Sequence, residues 1–531
     1  MPIYSIDFGT TNTVIARQTE DGGAEIVALP ELSLPAASGL PPLIPSLVYI
    51  TPDRLLSGAM VRSEGYDQQP TKRLFRDFKR GIVNPKTAQS RFIDGREWRD
   101  HEVGQAFLRR LIASLPTPIA LIDPLVLTAP VAALEFYLAW VSQTLEREVG
   151  EKLHIVDEST AAALGYAVQM PEAFVLVVDF GGGTLDLSLV QLPAHREQTG
   201  GVLSRLRRGR GAETHTARVY AKAGRTLGGG DIDRWLLAEV CARLNVDPAS
   251  LGEEYTPLLT ACETAKIALA TSEETRLTIT LGGESRTLPL TRLEMRKVLE
   301  QHGFMDDLRS TVDRLLHVAR REGIQKEDVA YVLLTGGTSL LPIVQSILRG
   351  IFPKADIRGD KPFTAVAEGA LLAASGVALE DYLVNSYGLR HLHPETGTHA
   401  YDEIIPQGTR YPMPKAVEVI LGVAHPEQDA VEIIVGLLNS ESVGNLRVRY
   451  EDGQPVFLAQ PDLTNSDQTA AIALNSAAPP ILAALNPPGM VGKDRLRAAF
   501  WVDEGRRLFV TVTDMTSGTV LLRDREIATL R

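Results

Sequence analysis

Two stretches of this chain end an apolar run in Asp-Phe-Gly and continue into small, hydroxyl-bearing residues. They are Ile6-Asp7-Phe8-Gly9-Thr10-Thr11-Asn12-Thr13 and Val178-Asp179-Phe180-Gly181-Gly182-Gly183-Thr184-Leu185-Asp186. Glycine lets the backbone approach phosphate oxygens, and successive main-chain N–H groups in a tight turn form an anion-binding concavity. Thr10, Thr11 and Thr184 add hydroxyl donors at the same place. A carboxylate at a strand end repels phosphate, but it can hold Mg²⁺ or the waters around it. Asp7 and Asp179 are therefore the metal-side candidates, acting through water. One such turn reads equally well as an ordinary β-turn. Two matched copies point to one phosphate-binding hairpin built twice, facing each other across a single nucleotide.

The elements that must position these turns alternate between strand and helix up to about residue 376, after which short strands are separated by Gly, Pro, Asn and Asp turns. Leu153–Asp157 reads as a strand followed by a small-residue helix through Glu158-Ser159-Thr160-Ala161-Ala162-Ala163, where the alanines permit close packing. Tyr331–Thr335 is another strand, running through Gly336-Gly337-Thr338 into a helix and so offering backbone N–H groups to a ligand. Near the end, Leu496–Val512 alternates apolar and polar residues through a turn and back, a hairpin of half-buried strands.

Composition is compatible with this plan and excludes others. At 531 residues the chain is too long for one core. A net charge of −12 argues against a general nucleic-acid or membrane binder, both of which favour a basic face. Cys241 and Cys262 are too few for a disulfide framework or a zinc knuckle and sit in helical patterns, as core residues do. The start of the chain enters a strand at once, without a signal-peptide pattern, and no apolar run reaches membrane-spanning length. The expectation is a cytoplasmic, monomeric protein.

Taken together, the two hairpins, Val156-Asp157-Glu158-Ser159-Thr160-Ala161-Ala162-Ala163, Leu227-Gly228-Gly229-Gly230-Asp231-Ile232-Asp233, Ala261-Cys262-Glu263-Thr264-Ala265-Lys266, Leu334-Thr335-Gly336-Gly337-Thr338 and Ala365-Val366-Ala367-Glu368-Gly369-Ala370 occur in an order that resembles the heat-shock protein 70 (DnaK-type) chaperones of the actin-like ATPase superfamily. The resemblance implies an α/β actin-like ATPase domain of two lobes, ribonuclease H-like and duplicated, over residues 1–376. It further implies a linker over 377–386 and an all-β sandwich over 387–531 that binds peptides. ATP or ADP with Mg²⁺ is the implied cofactor, and K⁺ a candidate second ion. Lys72, in Thr71-Lys72-Arg73-Leu74-Phe75, is similar to the family's lysine that approaches the γ-phosphate, although by itself it reads as a solvated helix lysine. Glu158 resembles the carboxylate that orients the attacking water. Asp7, Asp179 and Thr184 complete the implied catalytic set. The implied nucleotide contacts are Gly9, Thr10, Thr11, Asn12, Gly181, Gly182, Gly183, Gly228 and Gly229 at the phosphates, with Glu263, Lys266, Gly336, Gly337 and Thr338 towards ribose and adenine.

The chain also departs from the family pattern. Leu340 stands where many family members have an arginine after the adenosine glycines, Ile267 follows Lys266 as in some bacterial members, Leu138 stands near an expected arginine after Pro130, and His154 stands where bacterial members have an arginine that meets the J-domain co-chaperone. The connector Val377-Ala378-Leu379-Glu380-Asp381 lacks a continuous leucine run, and with the last strand pattern running almost to Arg531 the expectation is a β-domain without a helical lid. The expectation is fast exchange of bound peptide, because affinity differences lie mostly in off-rates. Implied partners are unfolded or extended polypeptides, with a J-domain co-chaperone and a nucleotide exchange factor as candidates. Arg205, Arg207, Arg208 and Arg210 form a basic segment that reads as a solvated loop. Two other readings stay open: an actin-like ATPase serving as a scaffold for one dedicated partner, and a metabolite kinase.

Overall fold

Strand β1 (Tyr4–Phe8) turns back through Gly9–Thr11 into β2 (Asn12–Gln18), with Phe8 opposite Thr13 and Asp7 opposite Val14. These strands form because β-branched and aromatic residues fill a buried pleated surface: Tyr4, Ile6, Phe8, Val14 and Ile15 are almost wholly buried. β3 (Ala24–Ile26) extends the sheet beyond β2, while β4 (Leu125–Ala129) and β5 (Leu153–Asp157) lie parallel to β1 on its other side. The order is β5-β4-β1-β2-β3. Helix α1 (Phe78–Val83) lies between β3 and β4 in the chain, and α2 (Glu158–Leu164) starts directly where β5 stops.

The same arrangement recurs. β6 (Phe174–Phe180) turns back through Gly181–Thr184 into β7 (Leu185–Gln191), which pairs with the antiparallel β8 (Thr216–Arg225). On the other side of β6, β9 (Tyr331–Thr335) and β10 (Asp356–Arg358) run parallel to it. The order β10-β9-β6-β7-β8 matches the first sheet strand for strand in direction, and each hairpin closes over four residues, 9–12 and 181–184. Around the second sheet pack α3 (Gly229–Leu244), α4 (Tyr255–Thr271), α5 (Phe304–Arg321) and α6 (Pro342–Ile351), whose apolar faces share one core with Leu176, Val178, Phe180 and Leu187. Helix α7 (Ala365–Ala374) meets α2 backbone to backbone: a Cβ on Gly369 would lie 1.7 Å from the Ala161 carbonyl oxygen, and one on Gly165 2.5 Å from that of Ala365.

This computed structural model describes residues 1–530 except 37–39, 84–87, 132–134, 146, 168–169, 194–215, 376–377, 393–398, 439–445, 452–453, 460–470 and 476–480. The basic segment around Arg205–Arg210 lies outside the described residues. Contacts divide the chain into two units, residues 1–133 with 140–379, and residues 134–139 with 380–531.

The second unit is built on strands. One sheet carries Tyr387–Leu392 between His399–Ile405 and Val435–Leu437, with Ile472–Ala473 beyond. Another carries Val417–Leu421, Leu496–Val502, Arg507–Asp514 and Val520–Thr529 in sequential antiparallel order. Leu496, Ala498, Phe500 and Val502 point inwards in strict alternation and share a core with Tyr387, Leu389, Val435 and Leu437 of the other sheet. Among the described residues no helix is long and apolar enough to cross a membrane.

Candidate phosphate and metal site

The two hairpin turns face each other in direct contact. A Cβ on Gly182 would come within 2.0 Å of Thr11 Oγ1, and one on Gly183 within 2.4 Å of Thr10 Oγ1, so only glycine lets the turns approach this closely. Each turn is closed by its own backbone: Gly9 N–H donates to the Asp7 carbonyl at 3.1 Å, and Gly181 N–H to that of Thr184 at 3.1 Å. Ser46 holds the first turn from outside, its hydroxyl donating to the Gly9 carbonyl at 2.7 Å and its N–H to that of Thr11 at 2.8 Å. Asn12 is half-buried at the start of β2, opposite Pro45.

The second turn is also braced by two loops far away in sequence. Gly229 N–H donates to the Gly181 carbonyl at 3.0 Å, and Gly230 N–H to that of Gly182 at 2.9 Å, while a Cβ on Gly228 would lie 2.4 Å from the Gly182 carbonyl. Thr338 Oγ1 donates to the Gly181 carbonyl at 2.8 Å, and Gly336, at φ +73°, runs beside the Phe180 carbonyl where a Cβ would lie 2.5 Å away. Gly337 opens the short turn that leads to α6 and lies against Phe363. Gly181, Gly182, Gly183, Gly228 and Gly229 thus lie together at the second hairpin, while Gly9 lies in the first.

Beneath the turns lies a buried cluster of charge. Asp7 accepts a hydrogen bond from Thr128 Oγ1 at 2.9 Å, and burial together with the Glu158 carboxylate pushes its carboxyl up to about 7, against the pull of Lys79 and Thr128. Burial, then Glu158, Asp7 and Asp186, hold Asp179 well above the ordinary carboxylate range. Glu158, the first residue of α2, accepts from Lys79 Nζ at 2.6 Å, both side chains being almost fully buried. Lys79 also lies 5.5 Å from the Phe8 ring centroid.

This corrects the lysine expected from the sequence. Lys72 is exposed, and its backbone carbonyl accepts from Arg91 at 3.3 Å. Between the two lysines the chain reverses at Asp77, φ +59°, and α1 then carries Lys79 into the cluster. The buried lysine beside Glu158 is Lys79, not Lys72.

At the other end of the cleft, Glu263 is bound by Arg76 at 2.6 Å; burial acts to raise its pKa, but Arg76 and Lys266 outweigh it and hold the carboxyl below its usual range. Lys266 Nζ donates to the Gly229 carbonyl at 3.1 Å and pairs with Asp233 at 2.8 Å. Arg80 pairs with Asp231 at 2.7 Å and Arg234 with Asp77 at 3.3 Å, so three ion pairs join the α1 segment to α3 and α4. They border a cavity of about 210 Å³ that also touches Arg91, Asp100 and Tyr255. Ile267, beside Lys266, is 62% exposed, leaving an apolar surface open at this end.

A family model described as Hsp70 protein matches residues 150–443, more than half of the chain. The chain belongs to the Hsp70 family. It is similar to the protein called Chaperone protein DnaK of Thermotoga neapolitana, 27% identical over 441 residues that cover 78% of this chain and 67% of that protein. It is likewise similar to Chaperone protein DnaK of Deinococcus proteolyticus, 29% identical over 405 residues that cover 70% of this chain and 58% of the relative. The alignment therefore spans about two thirds or less of these relatives' length.

Within this Hsp70 chain, sequence reasoning missed Lys79, Thr128, Arg76 and Asp233. Asp233 closes the Leu227–Asp233 stretch but was given no role of its own, and the partners of Thr128 and Asp233 lie 121 and 33 residues away. Lys79 carried a signal that could have been used: it follows an aromatic residue in Phe78-Lys79-Arg80-Gly81, where Gly81 allows tight packing on Asp100. The donor set suits Mg²⁺. Asp7 and Asp179 offer carboxylate oxygens whose ionised forms are disfavoured first by burial and then by neighbouring carboxylates, and a divalent cation there would favour those ionised forms. Among the described residues no three His, Cys, Asp or Glu side chains are arranged to hold a metal by themselves, so such an ion would need further oxygen ligands from water and phosphate.

Proposed function

We propose that this Hsp70-family chain is an ATP-hydrolysing chaperone with an actin-like ATPase domain, and that its β-rich unit holds extended apolar polypeptide segments. The observation that carries the reading is the contact of two like hairpin turns above a buried Asp7, Asp179, Glu158 and Lys79 cluster. Backbone N–H groups and the hydroxyls of Thr10, Thr11 and Thr184 bind and orient the phosphates. Lys79 supplies a fixed positive charge to the terminal phosphate. Glu158 accepts a hydrogen bond from the attacking water and orients it, a task for a placed acceptor rather than a strong base. Mg²⁺, held through water by Asp7 and Asp179, would neutralise phosphate charge. Glu263, Lys266, Gly336, Gly337 and Thr338 line the ribose and adenine end, where Ile267 and Leu340 offer aliphatic contact in place of cation–π stacking. The second unit's sheets suit peptide binding by main-chain hydrogen bonds along a strand edge, with a side-chain pocket for preference. Clients are unfolded polypeptides, and a J-domain protein and an exchange factor are the partners such a cycle would use.

Single-turnover hydrolysis of ATP with Mg²⁺ tests the catalytic half of this reading. Lys79→Ala and Glu158→Gln should each slow hydrolysis by about 10²-fold or more while ATP is still bound. Parent-like turnover in both variants would overturn it.

A further inference from the structure

The residues on either side of Glu158 are held by the opposite half of the first unit. Asp157 ends β5 and precedes α2 with extended backbone, the place where an aspartate ordinarily caps the following helix. Its side chain makes no cap. The carboxylate instead accepts from Lys222 Nζ on β8, and both side chains are at least 97% buried. Two residues on, Ser159 Oγ lies 2.6 Å from Ser188 Oγ on β7, both fully buried. Ser188 and Lys222 are direct cross-strand partners. One rung of the second sheet therefore grips both neighbours of the carboxylate whose backbone leaves the first sheet.

We propose that the Asp157–Lys222 ion pair and the Ser159–Ser188 hydrogen bond form a clamp that positions Glu158 and ties its placement to the second sheet. The proposal rests on the role given to Glu158 under Proposed function. The alternation of directions explains why the clamp acts on that residue. Asp157 and Ser159 point towards β7 and β8, whereas the side chain between them points to Lys79. A shift of the second sheet against the first thus displaces Glu158 from Lys79 and from the water it would orient. A buried ion pair is a costly device for stability alone, because well-packed apolar residues of similar volume hold a fold at least as well. Its use here is geometric: a charged, hydrogen-bonded contact fixes direction where an apolar contact would slide. Asp157 and Lys222 are positioning residues and touch neither nucleotide nor water.

The test uses the double variant Asp157→Asn/Lys222→Met, which removes both charges of the pair together, and Ser188→Ala. Two readouts are taken: single-turnover ATP hydrolysis beside the ATP dissociation constant, and hydrogen exchange of the amides of residues 158–164 without nucleotide. The clamp predicts that the double variant loses on the order of 10²-fold in hydrolysis, that ATP affinity changes by less than about threefold, and that the α2 amides exchange faster. Ser188→Ala should shift the same readouts in the same direction by less. Parent-like hydrolysis with parent-like exchange would overturn the clamp, as would equal losses in hydrolysis and ATP affinity, which mark a merely structural pair. A parent protein that does not hydrolyse ATP contradicts the proposed function instead, and unchanged α2 exchange in the double variant then overturns the clamp by itself.

Discussion

Asp7 and Asp179 sit where their ionised forms are disfavoured, and this links the chemistry of the site to its stability. The Asp7 carboxyl is pushed up to about 7 by burial and by Glu158, whereas in an unfolded chain it titrates near 4. Between those values the folded protein binds the proton and the unfolded chain does not, so this group's contribution to stability falls as pH rises from about 4 to about 7. Asp7→Asn should therefore raise the melting temperature of nucleotide-free protein at pH 8, leave it unchanged at pH 4, and abolish Mg²⁺-dependent hydrolysis. Melting curves of the two proteins at both pH values check this; equal curves at pH 8 would contradict it. Lys72→Ala, on an exposed side chain, should hydrolyse ATP like the parent, in contrast to Lys79→Ala. The carboxylates and hydroxyls were legible in the sequence because each is adjacent to its glycine turn. The lysine was not, because the left-handed turn at Asp77 decides which of two lysines seven residues apart enters the cleft, and an aspartate in that conformation leaves little trace in local propensity.

At the scale of elements, the site depends on turns packed too closely for side chains and on helices joined by ion pairs. Gly183→Ala places a methyl 2.4 Å from Thr10 Oγ1 and must push the hairpins apart. ATP affinity should fall by about tenfold or more, at a stability cost of roughly 1–3 kcal/mol typical of overpacking; calorimetric titration and thermal melting measure the two. Removing Arg76 leaves Glu263 as a buried carboxylate without its nearest partner, a loss of about 3–5 kcal/mol where the partner charge is truly buried. Arg76→Ala should also speed nucleotide release, because one of three ties between the α1 segment and α3 and α4 is gone, and stopped-flow release of a fluorescent ADP reads this directly. Unchanged release would show that the tie does not hold the cleft. The hairpins and the β5–α2 junction could be read from local wording, since strand periodicity and glycine turns are short-range signals. Arg76 with Glu263, 187 residues apart, could not, because two sheets must first be in place to bring them together.

For the whole molecule, repeated topology explains why one sequence pattern appears twice. Two sheets with the same order and direction bring two like turns into contact, and the helices α2 and α7 cross between them on glycine and alanine. The alternation in Leu496–Val502 became a sheet face buried at every second residue, as a period of two requires. The Hsp70 match runs over residues 150–443, from before the second of these sheets into the strand-built unit, whose two larger sheets share one core. The chaperone function proposed above implies that nucleotide bound in the first unit changes how long the second unit holds a peptide. The rate at which a fluorescently labelled apolar peptide leaves the protein, measured by stopped flow in saturating ATP and again in saturating ADP, tests that claim most directly. Faster release with ATP than with ADP is predicted, and equal rates in the two nucleotides would contradict it.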